Sequence, residues 1–310
     1  MSTILAIKNL SHRYSGSWAV RDINIEVDQK GVIGLLGSNG AGKSTIMNIM
    51  CGALKPTEGE VYINGISIRE KPEPAKMQLG YLPQTPPLYP DFTVNEYLTF
   101  AADLRLIDRH KVKKAVEEVM EKCNISHFSS RLIKNLSGGY RQRVGIAQSI
   151  IHKPLIVIMD EPTNGLDPNQ IIEVRKLIKE ISAEHTVVLS SHVLSEISIL
   201  CREIIMIDRG EIVFADTMEA FNNYVQPTSV LAKMDNLPPE AELLQIPGIS
   251  KVQYLTGSVC RLYFEGSPDI TRVIVEQSVR NNWQLREISL EKSLLDDVFK
   301  QLSTEPISYR

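Results

Sequence analysis

The sequence predicts an α/β chain followed by a small α+β unit, and three observations support this fold class. Apolar strand-like segments alternate with helix-like segments from residue 32 to residue 207, which is the order of a parallel sheet with crossover helices. The pattern changes at residues 225–228, around Pro227. Six short segments then follow in the order βαββαβ. We therefore expect two domains, residues 1–224 and residues 228–310.

Composition and charge exclude several classes of protein. The 310 residues are 43% hydrophobic and 23% charged, which is typical of a globular protein. The net charge of −3, with nine basic and eleven acidic side chains in residues 228–310, provides no basic surface for nucleic acid. The four cysteines lie far apart, which argues against a zinc site or a disulfide framework and fits a reducing compartment. We expect neither a signal peptide nor a membrane span, since no apolar run approaches ~20 residues.

The first part of the chain is predicted to be strands that lead to a glycine-rich loop. Strands are expected at residues 4–10, 23–27 and 32–36, and a hairpin at residues 60–68. The hairpin turns at Asn64 and Gly65, a pair that tolerates left-handed backbone. The third strand stops at the loop, and a helix begins near Ser44.

The middle and last parts of the chain give the remaining elements. Helices are expected at residues 93–107, 111–123, 169–182, 239–244 and 269–280, and one more is expected to begin at residue 193. Strands are expected at residues 155–159, 186–189, 204–207, 229–234, 252–255, 259–264 and 283–288. The order after residue 228 predicts a ferredoxin-like unit. A closing helix is expected to carry an apolar stripe that packs on another surface, formed by Leu290, Leu294, Leu295, Val298, Phe299 and Leu302.

The glycine-rich loop matches the phosphate-binding pattern G-x-x-x-x-G-K-[ST]. It consists of Gly37, Ser38, Asn39, Gly40, Ala41, Gly42, Lys43 and Ser44. Its place between a strand and a helix lets backbone N–H groups and the helix N-terminus converge on phosphate oxygens. Lys43 would bridge the β- and γ-phosphates, and Ser44 would bind Mg²⁺.

Two further motifs fit a phosphate-cleaving site. The strand at residues 155–159 ends in two carboxylates, so that Asp160 can hold Mg²⁺ and Glu161 can act as general base on a water. Ser137, Gly138 and Gly139 precede an apolar helix and can form a second anion site at its N-terminus. The simpler interpretation of this second motif is a helix cap with Ser137 as the N-cap residue.

Together these motifs resemble the ATP-binding cassette (ABC) family over residues 1–224. Further positions match the family's motifs in the expected order: the signature at residues 136–140, the Q-loop glutamine Gln84, the D-loop at residues 164–167, the switch histidine His192, and Tyr14 as the aromatic residue that stacks on adenine. For Tyr14 the alternative is simple packing beside Trp18, and for His192 it is an ordinary histidine at the end of a strand.

The resemblance implies a fold, a pair of ligands and an assembly. The fold would be a P-loop cassette with a mixed sheet core, an antiparallel β subdomain and a helical subdomain. Two chains, as a homodimer or a heterodimer with a related cassette, would hold two ATP molecules with Mg²⁺ between the phosphate loop of one chain and the signature of the other. The resemblance also implies that Thr45 binds the nucleotide and that Gln84 contacts Mg²⁺ and water. His192 would contact the γ-phosphate, and Asp167 would couple the two sites.

Two positions depart from the family's usual pattern. Tyr140 stands where the signature usually has glutamine, and Asn164 and Gly165 stand where the D-loop usually has serine and alanine. The first departure puts in doubt the contact that this position makes with the nucleotide held by the partner chain.

The single cassette and its C-terminal extension resemble the ATPase subunits of ABC-2-type exporters. This resemblance implies a separate transmembrane permease, a peripheral place on the cytoplasmic face of the membrane, and no nucleic-acid partner. The segment from residue 84 to residue 100, rich in proline and aromatic residues, is the expected docking region; the alternative is a proline-stiffened loop without a partner. The rival function is a cassette ATPase that acts on ribosomes or nucleic acid. A third interpretation makes the C-terminal domain a ligand-sensing module.

Overall fold

The computed structural model describes residues 3–224, 227–255, 257–265 and 269–291. The chain divides into two compact units, the first ending at Met218 and the second starting at Glu219. The helix Met218–Tyr224 falls at this division, so the domain limits 1–224 and 228–310 stay a prediction. Within the described residues, no helix has both the length and the apolarity required to cross a membrane.

The first unit contains ten strands and seven α-helices within its described residues. In chain order they are β1 (Leu5–Tyr14), β2 (Ser17–Val27), β3 (Val32–Leu36), α1 (Lys43–Met50), β4 (Glu58–Ile63), β5 (Ile66–Ser67), α2 (Pro72–Met77), β6 (Leu79–Leu82), α3 (Val94–Leu104), α4 (Arg109–Lys122), α5 (Gly138–Ile150), β7 (Ile156–Asp160), α6 (Pro168–Ser182), β8 (Thr186–Ser191), α7 (Leu194–Leu200), β9 (Glu203–Asp208) and β10 (Glu211–Thr217). Short 3₁₀ turns at Ser126–Phe128 and Ile133–Asn135 lie between α4 and α5.

These strands form two sheets. An antiparallel sheet has the order β2-β1-β4-β5, and a six-stranded sheet has the order β10-β9-β3-β8-β7-β6, parallel except at the β10 edge. Every residue of β3, β7 and β8 is buried, which explains the apolar runs at residues 32–36, 156–159 and 187–189 in the sequence. The expected α/β class, with a mainly parallel sheet and an antiparallel β subdomain, is confirmed.

The Asn64–Gly65 hairpin is confirmed, whereas three short elements were not predicted. Asn64 and Gly65 have φ values of 50° and 75°, and they join β4 to β5. Within the first unit, no sequence pattern predicted α2, β6 or β10. The helix α2 has six residues and contains two prolines, β6 has four residues, and most of the edge strand β10 faces outward, so none of them shows a clear apolar period.

The second unit has the predicted βαββαβ order. Its elements after α8 (Met218–Tyr224) are β11 (Ser229–Met234), α9 (Glu240–Leu243), β12 (Ile249–Tyr254), β13 (Val259–Phe264), α10 (Ile270–Arg280) and β14 (Leu285–Glu291). The sheet order is β12-β13-β11-β14, and every neighbouring pair is antiparallel. Apolar residues of one sheet face and of the two helices form its core, with Trp283 and Phe264 as the largest members. The ferredoxin-like arrangement is confirmed.

The prediction for Leu290 was wrong. It lies in β14 opposite Val230 and not in a closing helix. The strand continues to Glu291, which pairs with Ser229 in the ladder and also accepts a hydrogen bond from its hydroxyl, so sheet pairing extends past the predicted end at residue 288. The other residues of the predicted stripe, Leu294, Leu295, Val298, Phe299 and Leu302, lie outside the described residues.

Candidate nucleotide-binding and catalytic site

The phosphate loop, residues 37–44, connects β3 to α1 as predicted. Gly40 and Gly42 have φ values of 84° and 108°, in the left-handed region that favours glycine. A Cβ atom on Gly42 would also lie 2.6 Å from Val20 Cγ1 and 2.8 Å from the Ala19 carbonyl oxygen. The second glycine of the motif is therefore required both by backbone conformation and by the close approach of β2.

Lys43 is the first residue of α1, and it is 5% exposed. Its Nζ donates to the carbonyl oxygens of Gly37 at 2.7 Å and Ser38 at 3.0 Å. Burial lowers the pKa of the Lys43 ammonium, and the carboxylates of Glu161 and Asp160 act in the opposite direction. Because an ammonium has three donors, two loop carbonyls leave one N–H group for an anion.

The carboxyl end of β7 places the two acidic residues differently. Asp160 is 5% exposed, and its Oδ1 accepts a hydrogen bond of 2.5 Å from the Ser190 hydroxyl. The same hydroxyl accepts from the Glu161 backbone N–H at 2.9 Å. Glu161 has a φ of 47°, and this turn of the backbone comes directly after the buried strand. Ser190 therefore fixes the orientation of both acidic residues from the neighbouring strand β8.

Three predicted site residues meet at the Glu161 carboxylate. His192 Nδ1 lies 3.0 Å from Glu161 Oε1, and Gln84 Nε2 donates to Glu161 Oε2 at 3.5 Å. These residues follow β7, β8 and β6, which are adjacent parallel strands whose carboxyl ends share one edge of the sheet. Side chains that are far apart in the sequence are brought together by this edge.

A cleft of about 670 Å³ contains most of the predicted site; we call it the catalytic cleft. It is lined by Tyr14, Ala19, Asn39, Gly40, Gly42, Lys43, Ser44, Thr45, Gln84, Glu161, Asn164 and His192. Tyr14 is 50% exposed and lines this cleft, whereas Trp18 does not line it. Ala41 and Asp160 are buried behind its surface, and Gly37 and Ser38 contribute the carbonyls that hold Lys43.

The signature residues lie apart from the catalytic cleft. Ser137 is the N-cap residue of α5, and its hydroxyl accepts from the Tyr140 N–H at 3.5 Å. A Cβ atom on Gly138 would meet no atom within 4 Å, whereas one on Gly139 would lie 2.6 Å from the Gln170 side chain. The start of α5 is thus capped by Ser137 and open at Gly138.

Asp167 also has a local structural role. It is the N-cap residue of α6, and its Oδ1 accepts from the Gln170 N–H at 3.0 Å. It does not line the catalytic cleft. The single chain therefore brings together the phosphate loop, Gln84, Glu161 and His192, and it leaves the signature and Asp167 outside that group.

The unusual signature residue Tyr140 contacts its own chain. Its ring centroid lies 4.5 Å from that of Phe128 in an edge-to-face arrangement, and the Arg143 guanidinium lies 5.7 Å from its centroid. Arg143 is 6% exposed and pairs with Glu173 at 2.5 Å. The ring at this position packs the first turn of α5 against the 3₁₀ turn Ser126–Phe128.

The residues predicted to hold Mg²⁺ provide suitable oxygen atoms. Ser44, Gln84 and Asp160 offer a hydroxyl, an amide oxygen and a carboxylate, the hard ligands that Mg²⁺ prefers. The described part of the chain contains no group of three or more His, Cys, Asp or Glu residues placed to hold a metal. Such a sparse set fits an ion whose remaining ligands are substrate phosphates and waters.

Ser190 and Asn164 are site residues to which sequence reasoning gave no role. Ser190 joins Asp160 to Glu161, and Asn164 lines the catalytic cleft. The signal for Ser190 was present, since two serines end the otherwise apolar strand β8 and a buried hydroxyl needs a partner. Asn164 was predicted only as a member of the D-loop motif, without a role of its own, because a polar residue before Gly165 is also expected in an ordinary turn.

The fold and the catalytic cleft define a P-loop nucleotide-binding protein, and comparison with known proteins specifies the family. Residues 20–164 match the family described as ABC transporter. An uncharacterized ABC transporter ATP-binding protein of Bacillus subtilis, YxlF, is 31% identical over 298 residues, covering 96% of this chain and 98% of that protein. The bacitracin transport ATP-binding protein BcrA of Bacillus licheniformis is 37% identical over 68% of this chain and 69% of its own length. The linearmycin resistance ATP-binding protein LnrL of B. subtilis is 29% identical over 94% and 97%.

Solved structures agree with this result. CbiO1 of Clostridium perfringens, part of the transporter complex CbiONQ, superposes with a TM-score of 0.66 at 27% identity, over 72% of this chain and 92% of that one. A dimeric ATP-binding cassette in a post-hydrolysis state with ADP and Pi gives a TM-score of 0.63 at 26% identity, over 69% and 98%. The chain belongs to the family of ABC transporter ATP-binding proteins. It is the ATP-binding subunit of an ABC transporter, and the predicted cassette fold and ATPase class are confirmed.

Proposed function

We propose that this chain is the Mg²⁺-dependent ATPase of an ABC-2-type exporter, and that it works as a dimer on the inner face of the membrane with a separate transmembrane permease. The observation that carries the proposal is the convergence of the phosphate loop, Glu161, His192 and Gln84 in one cleft. The names of two relatives, a bacitracin transport protein and a linearmycin resistance protein, support export. None of the reported relatives or structures is described as acting on ribosomes or nucleic acid.

The phosphate loop supplies the binding half of the site. Lys43 keeps one N–H group for the β- and γ-phosphate oxygens while the Gly37 and Ser38 carbonyls fix its position. The first N–H groups of α1 add partial positive charge at the same place. Tyr14 offers an exposed ring at the rim of the catalytic cleft on which adenine can stack. Ser44, Asp160 and Gln84 would hold Mg²⁺, which would supply positive charge against the phosphates.

Glu161, His192 and Gln84 supply the hydrolytic half. The Glu161 carboxylate accepts the proton of the attacking water, which makes that water a competent nucleophile. His192 lies 3.0 Å from the carboxylate through Nδ1, so the other ring nitrogen is available to the γ-phosphate. Gln84 contacts the second carboxylate oxygen and can orient the same water through its amide. Ser190 keeps Asp160 and Glu161 correctly oriented, and it does not enter the reaction itself.

The position of the signature supports a composite site. The N-terminus of α5 offers backbone N–H groups and the open position of Gly138, yet neither lines the catalytic cleft of its own chain. A nucleotide held by a second chain is the ligand that this helix start can serve. Each ATP would then contact Lys43 of one chain and Ser137 and Gly139 of the other, which makes association depend on the γ-phosphate.

An exposed aromatic patch supports the expected docking region for the permease. The patch consists of Tyr89, Phe92 and Phe100, with ring centroids 5.3 to 6.2 Å apart. Tyr89 is 49% exposed, and the hydroxyl of the nearby Tyr97 donates to the Pro87 carbonyl at 3.1 Å. Tyr89 follows Gln84 by only five residues, so an apolar segment of the permease that rests on the patch would be linked to the Glu161 carboxylate through a short stretch of chain.

The substitution Glu161→Gln tests the proposal. Glutamine keeps the shape of the side chain but cannot accept the proton from water, so turnover should fall at least about 100-fold while ATP binding survives. With ATP and Mg²⁺ the variant should sediment as a dimer, and with ADP as a monomer. An oligomeric state that ignores the nucleotide, together with normal turnover, would exclude both the general-base role and the composite site.

The permease partner is tested by co-purification. The full chain, expressed with the reading frames that neighbour it, should co-purify with a multispan membrane protein. Substitution of Tyr89 by serine should weaken that association and leave the ATPase activity of the isolated chain unchanged. Salt-sensitive binding to RNA without any membrane partner would instead support the ribosome or nucleic-acid function.

A further inference from the structure

The chain segments that carry Glu161 and His192 are joined at a single carboxylate, that of Glu196 on α7. We propose that Glu196 is a positioning residue for ATP hydrolysis. It holds the Glu161 and His192 side chains in their relative positions without contacting the nucleotide. This inference rests on the roles given above to Glu161 and His192. We call Glu196 and its partners Thr163, Ser191 and Arg175 the Glu196 junction.

The contacts at the Glu196 junction are short and largely buried. The Thr163 hydroxyl lies 2.8 Å from both carboxylate oxygens, and the Ser191 hydroxyl donates to Oε2 at 2.9 Å. Thr163 is 6% exposed, Ser191 is 2% exposed, and the Glu196 side chain is 12% exposed. Because little water reaches these groups, the hydrogen bonds are hard to replace by solvent.

Each hydroxyl belongs to a segment that carries a reactive side chain. Thr163 lies two residues after Glu161, and the next backbone N–H, that of Asn164, returns to the Glu161 carbonyl at 3.1 Å. Ser191 immediately precedes His192, and its hydroxyl accepts from the Val193 N–H at 3.0 Å. The junction therefore holds both segments close to the point where His192 Nδ1 and Glu161 Oε1 meet at 3.0 Å.

The charge of Glu196 is needed for this arrangement. Arg175 of α6 lies 3.4 Å from Oε1 and offsets the burial of the carboxylate. Hydroxyl groups and a guanidinium approach from different sides, and all of them can donate to a carboxylate. A glutamine at this position would have to turn its NH₂ group toward one of these donors, so at least one segment would lose its hydrogen bond.

Glu196 does not line the catalytic cleft, so its effect must pass through the two segments that it joins. The helix α7 itself is anchored by other residues, since Ile197 and Leu200 are buried. Removal of the Glu196 charge should therefore leave the fold intact and displace reactive groups by a fraction of an ångström. Displacements of that size reduce the rate of a chemical step far more than they reduce binding.

The experiment compares Glu196→Gln with Glu184→Gln in the full chain. Glu184 is an exposed partner of Lys122 at 2.8 Å and belongs to no part of the proposed site. We expect Glu196→Gln to lower kcat about ten- to hundredfold while the KM for ATP stays within about twofold, because the phosphate loop is untouched. Glu184→Gln should retain the parent kcat. An unchanged kcat for Glu196→Gln, or an equal loss in Glu184→Gln, would overturn the proposal.

A second readout separates positioning from general loss of structure. The imidazole ¹⁵N signals of His192, assigned with His192→Gln, should shift in Glu196→Gln and not in Glu184→Gln, because only the first variant releases the His192 segment. If Glu196→Gln does not fold, Thr163→Val and Ser191→Ala take its place. Thr163→Val should lower kcat, and Thr163→Ser should restore it, since serine keeps the hydroxyl. A kcat loss with unshifted His192 signals, or a loss in Thr163→Ser equal to that in Thr163→Val, would contradict the inference.

The variants distinguish failure of the positioning role of Glu196 from failure of the proposed function. If Glu161→Gln hydrolyses ATP normally, the general-base assignment is wrong and the role of Glu196 falls with it. If Glu161→Gln is inactive but Glu196→Gln has the parent kcat, only the positioning role is wrong. If the junction acts through Glu161, the double variant Glu161→Gln/Glu196→Gln should be no slower than Glu161→Gln alone.

Discussion

The two units of this chain differ in the burial of their polar side chains. In the first unit, several buried charged or polar side chains lie at the carboxyl ends of the parallel strands, among them Lys43, Asp160 and Ser190, each 5% exposed or less. In the second unit, Ser229 and Ser278 are the only buried polar side chains among the described residues. The least exposed ion pair of its described residues, between Arg261 and Glu291, keeps 28% and 25% of the two side chains exposed.

The difference shows what each set of charges does. Burying a charge costs free energy, so a domain that needs only stability leaves its ions near water, as the second unit does. The first unit retains a buried ammonium and a buried carboxylate at one edge of its sheet, where they can act on a phosphate in a medium of low dielectric constant. Loss of a buried polar group at this edge of the first unit should therefore reduce activity, whereas loss of an ion pair in the second unit should affect only local stability.

The largest effect is expected for Lys43→Ala. It removes the donor reserved for the phosphates, so ATP hydrolysis should fall at least about 100-fold. The thermal unfolding midpoint should move little, since the lost hydrogen bonds to Gly37 and Ser38 are offset by relief of the desolvation of the ammonium. Activity assays and circular dichroism during heating would measure the two quantities.

Lys153→Ala is the matched control for Lys43→Ala. Lys153 is 73% exposed and pairs with Glu118 at 2.9 Å on the surface of the same unit. Its replacement should leave both the activity and the midpoint unchanged. If Lys153→Ala loses as much activity as Lys43→Ala, or if Lys43→Ala still hydrolyses ATP, the buried ammonium of the first unit does not serve the reaction in the way inferred here.

An intermediate effect is expected for Ser190→Ala. The change leaves an oxygen of Asp160 and the backbone N–H of Glu161 without their shared partner, at a cost of about 1–3 kcal/mol in the free energy of unfolding. Because both residues then lose their fixed orientation, kcat should fall about tenfold. Denaturant unfolding and steady-state kinetics would measure the two losses.

Ser149→Ala provides the control with an equally buried serine. Its hydroxyl donates to the Ile146 carbonyl within α5, a group that already belongs to the helix ladder. Its removal should change the free energy of unfolding by less than about 0.5 kcal/mol and leave kcat unchanged. Equal losses in the two serine variants would mean that burial alone, and not position at the site, determines the effect.

The sequence predicted elements well where burial produces a clear pattern. The strand at residues 32–36 matches β3, and those at residues 229–234 and 259–264 match β11 and β13, because continuous or alternating apolar residues mark their limits. The edge strand β10 and the short helix α2 were missed because exposed or very short elements have no such pattern. The end of β14 was misplaced because ladder pairing to β11, a contact distant in sequence, determines it.

For the site, motifs identified the reactive groups but not the residues that position them. Lys43 and Glu161 belong to motifs that are visible in the local sequence, and His192 was indicated by the resemblance to the ABC family. Ser190 contacts residues 29 and 30 positions away in the chain, and Glu196 contacts Thr163, 33 positions away, across strands and helices. Such contacts follow from the tertiary fold, so a single sequence cannot reveal them.

The smallest effect is expected in the second unit, for Glu291→Gln. Hydrogen bonds from Arg261 hold the pKa of the Glu291 carboxyl below its usual range, and the Ser229 hydroxyl contributes to the same shift. A carboxyl with a lowered pKa in the folded state contributes stability that is fully present above its unfolded pKa of about 4.3 and is lost as the pH falls through the folded value. The side chain is partly exposed, so the contribution should be below about 1 kcal/mol.

Hydrogen exchange of the β11 and β14 amides in the full chain would measure this contribution. After correction for intrinsic rates, protection in the parent protein should be constant from pH 7 to about 5 and should decline below about pH 4. Glu291→Gln should show lower protection at pH 7 and a smaller decline in acid, with unchanged ATP hydrolysis. Glu287→Gln, on the same strand and exposed, should behave like the parent. A loss of hydrolysis in Glu291→Gln would show that charges of the second unit also serve the reaction. A stability loss below about 1 kcal/mol leaves almost all of the chain folded, so it cannot by itself stop turnover.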